Sequence, residues 1–164
     1  MIWMINSFQW STSQAMTLGT RQENRSRMAG IIPMEPEILV VEDDPETLDL
    51  ITIILERQDY RVVVAHDGRT ALEMVALHNP RLIITDVRMP HIDGVEMMRK
   101  VRAMGVTQRF TPILAVTAYQ LEDAAEAIEA GASYVLGKPF ADHVLIACVK
   151  DLLAPGSAKA HPRD

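Results

Sequence analysis

From Pro36 onward the chain alternates between short apolar runs and longer stretches of helical period. Strands are predicted over about 37–42, 61–65, 82–85, 112–117 and 134–137. Between them the apolar positions recur at three- and four-residue spacing, as on one face of a helix. Leu48, Ile51, Ile54 and Leu55 form the first stripe, and Leu72, Met74 and Val75 lie in a second helix over about 69–78. Val95, Met98 and Val101 mark a third, and the alanine-rich stretch from Ala124 to Ala130 a fourth. A last helix over about 141–153 is expected to bury Val144, Leu145, Cys148, Val149 and Leu152. Strand and helix in strict alternation predict βα units and a parallel sheet.

The punctuation agrees. Asp44 followed by Pro45 reads as an N-cap with proline at the first helical position. Asp67-Gly68 reads as a turn closing the second strand, and Gly131 fits the residue after a helix C-cap.

Four of the strands run into a reactive polar residue. Val41 is followed by Glu42, Asp43 and Asp44; the third strand leads to Asp86, the fourth to Thr117 and the fifth to Lys138. In a parallel sheet these ends converge on one edge, where open α/β sheets bind ligands. Carboxylates, a hydroxyl and an ammonium in one crevice suit a divalent metal and a phosphoryl group. Asp44 is expected to cap a helix instead.

The 164 residues bound the answer to one domain with a little left over. A hydrophobic share of 48% supports a sizeable core, and a net charge of −6 argues against a general nucleic-acid surface. Cys148 is the only cysteine, which excludes an internal disulfide and fits a reducing compartment. The five histidines lack metal-ligand spacing, and no apolar run reaches the roughly 18 residues of a membrane span. Residues 1–35, rich in Ser, Thr, Gln and Asn, are expected to be a disordered leader, or an upstream extension of a chain starting at Met28 or Met34. Residues 154–164 are expected to be a flexible tail.

Residues 36–153 resemble the receiver domain of bacterial two-component response regulators, the CheY-like superfamily. The motifs that carry the resemblance are Ile38 to Asp44, Thr85-Asp86-Val87-Arg88-Met89-Pro90, Ile92-Asp93-Gly94, Val116-Thr117-Ala118, and Gly131-Ala132 followed by Lys138-Pro139-Phe140, all in the family's order. The resemblance implies a flavodoxin-like (βα)5 doubly wound sheet with strand order 2-1-3-4-5. It implies that Asp86 is the phosphoacceptor, served by Lys138 and Thr117, with the Lys138-Pro139 bond cis. It implies Mg2+ held by Asp43, Asp86 and the backbone carbonyl of Arg88, with Glu42 acting through water.

On this reading the chain is a stand-alone cytoplasmic switch. It takes its phosphoryl group from a sensor histidine kinase or phosphotransfer protein. It signals by protein contact through the face of the fourth helix, fifth strand and fifth helix, with no nucleic acid or membrane. It is not an enzyme beyond its own phosphorylation and dephosphorylation. The other reading is a degenerate receiver that binds partners without phosphorylation.

Three features depart from the family pattern. The place of the family's switch aromatic, three residues before the lysine, holds Val135, and Tyr134 falls on the other face of the strand. The stretch from Thr117 to Gly131 is about one residue short, which predicts an unusual loop or helix start there. Arg88 and Tyr119 occupy two positions that influence the lifetime of the phosphoryl group, and neither orients an attacking water.

Overall fold

The computed structural model of the chain describes residues 38–118 and 121–155. The expected leader, Tyr119, and the tail beyond Pro155 lie outside the described residues. Five strands form one parallel sheet: β1 Ile38–Val41, β2 Val62–Ala65, β3 Leu82–Asp86, β4 Ile113–Thr117 and β5 Tyr134–Gly137. Their order is β2-β1-β3-β4-β5, as the family resemblance implied. Between the strands run α1 Pro45–Glu56, α2 Gly68–His78, α3 Gly94–Arg102 and α4 Leu121–Glu129, and α5 Asp142–Leu153 follows β5. A 3-10 turn at Gln108–Phe110, which no periodicity signalled, precedes β4.

The β-branched runs form the sheet because both its faces are covered. Ile38, Val40, Leu82, Ile84, Leu114 and Val116 pack with Leu48, Ile51, Leu55, Leu145 and Val149 of α1 and α5. Leu39, Val41, Ile83, Ile113 and Ala115 face the other way, with Val75, Met97, Met98, Val101 and Ala127 of α2, α3 and α4. Ile38, Leu39 and Val40 have no solvent exposure at all. Burial of each such side chain contributes about 1.5–3 kcal/mol.

The helix ends explain the boundaries. Asp44 caps α1 as expected, accepting from the Thr47 N–H at 2.9 Å. Asp67 does more than turn the chain: it caps α2, accepting from the Thr70 N–H at 2.8 Å and the Thr70 hydroxyl at 2.9 Å. Gly131 holds φ 102°, and the Ala132 N–H reaches back to the Ala127 carbonyl at 2.9 Å. That is the glycine C-cap expected from the sequence.

One core assignment is corrected. Val144 is 37% exposed, whereas Leu145 and Val149 are fully buried. A helix turns about 100° per residue, so a stripe centred on the i, i+4 pair Leu145 and Val149 leaves Val144 on its flank. Arg102 is the reverse case. This helical arginine folds inward, donating to the Gly131 carbonyl at 2.6 Å and the Thr111 carbonyl at 2.8 Å. Burial lowers its guanidinium to about 10, still charged at neutral pH.

Candidate phosphoacceptor site

The doubly wound order leaves a crevice beyond the carboxyl ends of β1 and β3, where successive connections leave the sheet in opposite directions. Glu42 and Asp43 follow β1, Asp86 ends β3, Thr117 ends β4 and Lys138 follows β5. All five predicted residues therefore reach one edge.

Lys138 occupies the centre. Its Nζ donates to Glu42 Oε2 at 2.6 Å and to Asp86 Oδ1 at 2.9 Å. The Lys138-Pro139 bond is cis, as the resemblance implied. The Lys138 N–H donates to the Thr117 carbonyl at 2.6 Å, so β4 fixes where β5 ends. The second Asp86 oxygen, Oδ2, accepts from the Arg88 N–H at 2.9 Å. Both oxygens of Asp86 are thus held by donors, with 11% of the side chain exposed.

Electrostatics follow from burial. Glu42 is 2% exposed. Desolvation raises its carboxyl above the usual range, against the downward pull of Lys138. Burial likewise pulls the Lys138 ammonium down, but hydrogen bonds to Glu42 and Asp86 outweigh it and leave the group raised. Asp43 is exposed at the mouth. Oxygens of Glu42, Asp43 and Asp86 lie within 4.8 Å of one another. Three carboxylates against one ammonium leave two negative charges in excess, and all the donors are hard oxygens. The set fits a small divalent cation such as Mg2+.

The close approach of β3 to α3 requires a glycine. A Cβ on Gly94 would lie 2.0 Å from the Asp86 carbonyl oxygen. The Gly94 N–H donates to the Val87 carbonyl at 3.0 Å. Asp93 caps α3, accepting from the Glu96 N–H at 2.8 Å. The Ile92-Asp93-Gly94 motif therefore tethers the loop behind Asp86.

Two of the predicted residues make side-chain contacts that the sequence did not signal. The Arg88 side chain turns away from Asp86 to α4, where Nε donates to Asp123 Oδ1 at 2.8 Å and an outer nitrogen meets Glu126 Oε2 at 2.9 Å. It does not cover Asp86; its main-chain N–H does reach the Asp86 carboxylate. Thr117 is 2% exposed, and its hydroxyl donates to Asp123 Oδ2 at 3.2 Å. Asp123 was missed by the sequence reading. It lies in the stretch expected to be unusual, yet a charged residue in an alanine-rich helix gives no sign of facing inward. Val135 lies partly buried against the core on the same sheet face as Ala115, while Tyr134 is 51% exposed. Their opposite facing is as expected.

Comparison with known proteins agrees with this geometry. The response regulator receiver domain family matches residues 38–150. The response regulator MprA of Mycobacterium ulcerans is 39% identical over 121 residues, covering 73% of this chain and 51% of its own length. The chain thus spans about half the length of the curated relatives it matches, and the expectation that nucleic acid is excluded gains no support from them. Among solved structures, the Vibrio cholerae chemotaxis protein CheY4 is 32% identical, with 73% of this chain and 99% of that one covered and a TM-score of 0.68. The receiver domain of the Pseudomonas aeruginosa sensor histidine kinase PA1611 is 32% identical, with 73% and 98% covered and the same TM-score of 0.68. That structure has a magnesium ion coordinated in its active site cleft. Receiver domains are signalling domains rather than conventional enzymes. With its sheet order, its acidic edge and a match across most of its length, this chain belongs to the receiver domain family of two-component response regulators.

Proposed function

We propose that the chain is a phosphorylation-dependent switch in which Asp86 accepts a phosphoryl group from a phosphohistidine of a sensor kinase or phosphotransfer protein. The observation that carries this reading is the Asp86 carboxylate itself, oriented by the Lys138 ammonium on one oxygen and the Arg88 N–H on the other. A carboxylate so placed is a usable nucleophile. An Asp86 oxygen attacks phosphorus, the phosphorus–nitrogen bond of the donor breaks, and the leaving imidazole takes up a proton. Lys138 stays beside the acceptor and offsets the charge on the transferred group. Asp43, Asp86 and the Arg88 carbonyl would hold Mg2+, with Glu42 acting through water. When bound, the ion supplies the positive charge that lets two anions meet.

Output through α4, β5 and α5 is supported by exposed apolar side chains on all three. These are Leu121, at 85% exposure, with Ile128, Tyr134 and Val144. Exposed apolar groups collected on neighbouring elements suit a protein partner. The receiver unit is taken as residues 36–153, between a leader and a tail. Among the described residues no helix is long and apolar enough to cross a membrane. Action in the cytoplasm is part of the proposal.

A second reading, a receiver that binds partners without phosphorylation, is favoured by one observation. Val135 occupies the place of the switch aromatic, and Tyr134 lies outside on the opposite face. One experiment separates the two. The protein is incubated with Mg2+ and acetyl phosphate, and the product resolved on a phosphate-affinity gel. Stoichiometric, acid-stable but base-labile phosphate in wild type and none in Asp86→Asn is expected. No phosphate in wild type would favour the second reading.

A further inference from the structure

Asp123 lies in the first turn of α4, and its side chain is 8% exposed. Its two oxygens have separate partners. Oδ2 accepts from the Thr117 hydroxyl at 3.2 Å, and Oδ1 accepts from Arg88 Nε at 2.8 Å. Thr117 ends β4, and Arg88 follows Asp86 by two residues while giving that residue its N–H. One buried carboxylate therefore ties α4 to both loops that border the phosphoacceptor.

A hydroxyl has one proton to donate. Thr117 can give it to Asp123 or to an oxygen of a group on Asp86, but not to both. We propose that Asp123 is a positioning residue that competes with the phosphoryl group for the Thr117 hydroxyl, and so sets how readily the switch closes. The inference rests on the reading of Asp86 as phosphoacceptor. Arg88 is the second half of the device. When Thr117 leaves, Asp123 keeps its bond to the guanidinium, so no uncompensated charge is left buried. The moving part is one hydroxyl, and the fixed part is an ion pair anchoring the start of α4. Glu126, exposed one turn further on, adds a second contact to Arg88 but none to Thr117.

The two ends of the ion pair then have opposite effects. Asp123→Asn weakens the competing acceptor and releases Thr117. Arg88→Ala leaves Asp123 with Thr117 as its main donor, and holds the hydroxyl harder. The full-length protein is titrated with beryllofluoride, a phosphoryl mimic, in the presence of Mg2+, with the bound form followed by 19F NMR. Asp123→Asn is expected to bind about tenfold tighter than wild type, the change that follows from one released charge-assisted hydrogen bond. Arg88→Ala is expected to bind several-fold more weakly, and the double variant to behave like Asp123→Asn. Glu126→Gln is expected to match wild type.

Loss of stability alone would move Asp123→Asn and Arg88→Ala in the same direction, and that result overturns the proposal. Equal affinity in wild type and Asp123→Asn overturns it too. Absence of any Mg2+-dependent binding in wild type would instead remove the phosphoacceptor reading, and this inference with it.

Discussion

Lys138 and Glu42 are 96 residues apart in the chain and 2.6 Å apart in space. The same ammonium reaches Asp86 at 2.9 Å. A single cation thus balances the buried Glu42 carboxylate that follows β1 and the Asp86 carboxylate that ends β3. Removing either partner leaves a charge that the crevice does not solvate well.

Lys138→Ala is therefore expected to shift two affinities in opposite directions. Beryllofluoride loses a charge-assisted contact worth about 1.5–3 kcal/mol, and binds more weakly. Mg2+ alone binds more tightly, because the competing cation is gone. Titration with Mg2+ in the absence of any phosphodonor, then with beryllofluoride, checks both signs. A parallel weakening of the two would mean that the lysine acts through the fold.

The raised carboxyl of Glu42 carries a pH signature. Burial keeps its proton bound in the folded state above 4.5, where the unfolded chain has released it. The folded state then binds more protons, so this group's contribution to stability falls as pH rises from 4.5 through its raised value. Glu42→Gln removes that slope. Urea unfolding of both proteins in metal-free buffer across the acid range measures it. Identical slopes would show that Glu42 does not titrate differently on folding.

Asp67 has the opposite sign. Its carboxyl is lowered from 3.8 by hydrogen bonds from the Thr70 N–H and hydroxyl at the start of α2. Asp67→Ala should cost about 1 kcal/mol at neutral pH, as lost N-caps do. The stabilisation is present above 3.8 and is lost as pH falls through the lowered value. The gap between variant and wild type should therefore close once the pH is low enough to protonate Asp67 in the folded state. A gap that persists there would point to packing instead of capping.

Gly94→Ala places a methyl 2.0 Å from the Asp86 carbonyl oxygen, which is main chain and cannot turn aside. We expect a loss of about 3 kcal/mol or more, because overpacking against backbone forces a shift. The shifted backbone carries Asp86, so on the proposed function phosphate uptake should fall as well. Gly105→Ala is the control, since its Cβ would meet only the Gln108 side chain at 3.1 Å. Equal stability of the two variants would contradict this account of the close approach.

Much of the molecule is determined by the sequence alone. The three central strands have no exposed face to accommodate, so short continuous apolar runs name the strands, and a parallel sheet puts their polar ends together. Glu42, Asp43, Asp86, Thr117 and Lys138 were legible for that reason, as were the cap at Asp44 and the glycine at Gly131. What only the tertiary structure decided is where individual side chains outside the strands point. Asp123 and Arg88 are 35 residues apart, on elements whose local patterns each permit a solvated side chain. Arg102 folds onto carbonyls of a distant loop, and Val144 turns out to solvent. The physical reason is common to the three helical residues, Asp123, Arg102 and Val144. Helical period fixes a residue's angle about its own axis, but its surroundings depend on how that helix is rotated against the sheet, and long-range packing sets that rotation.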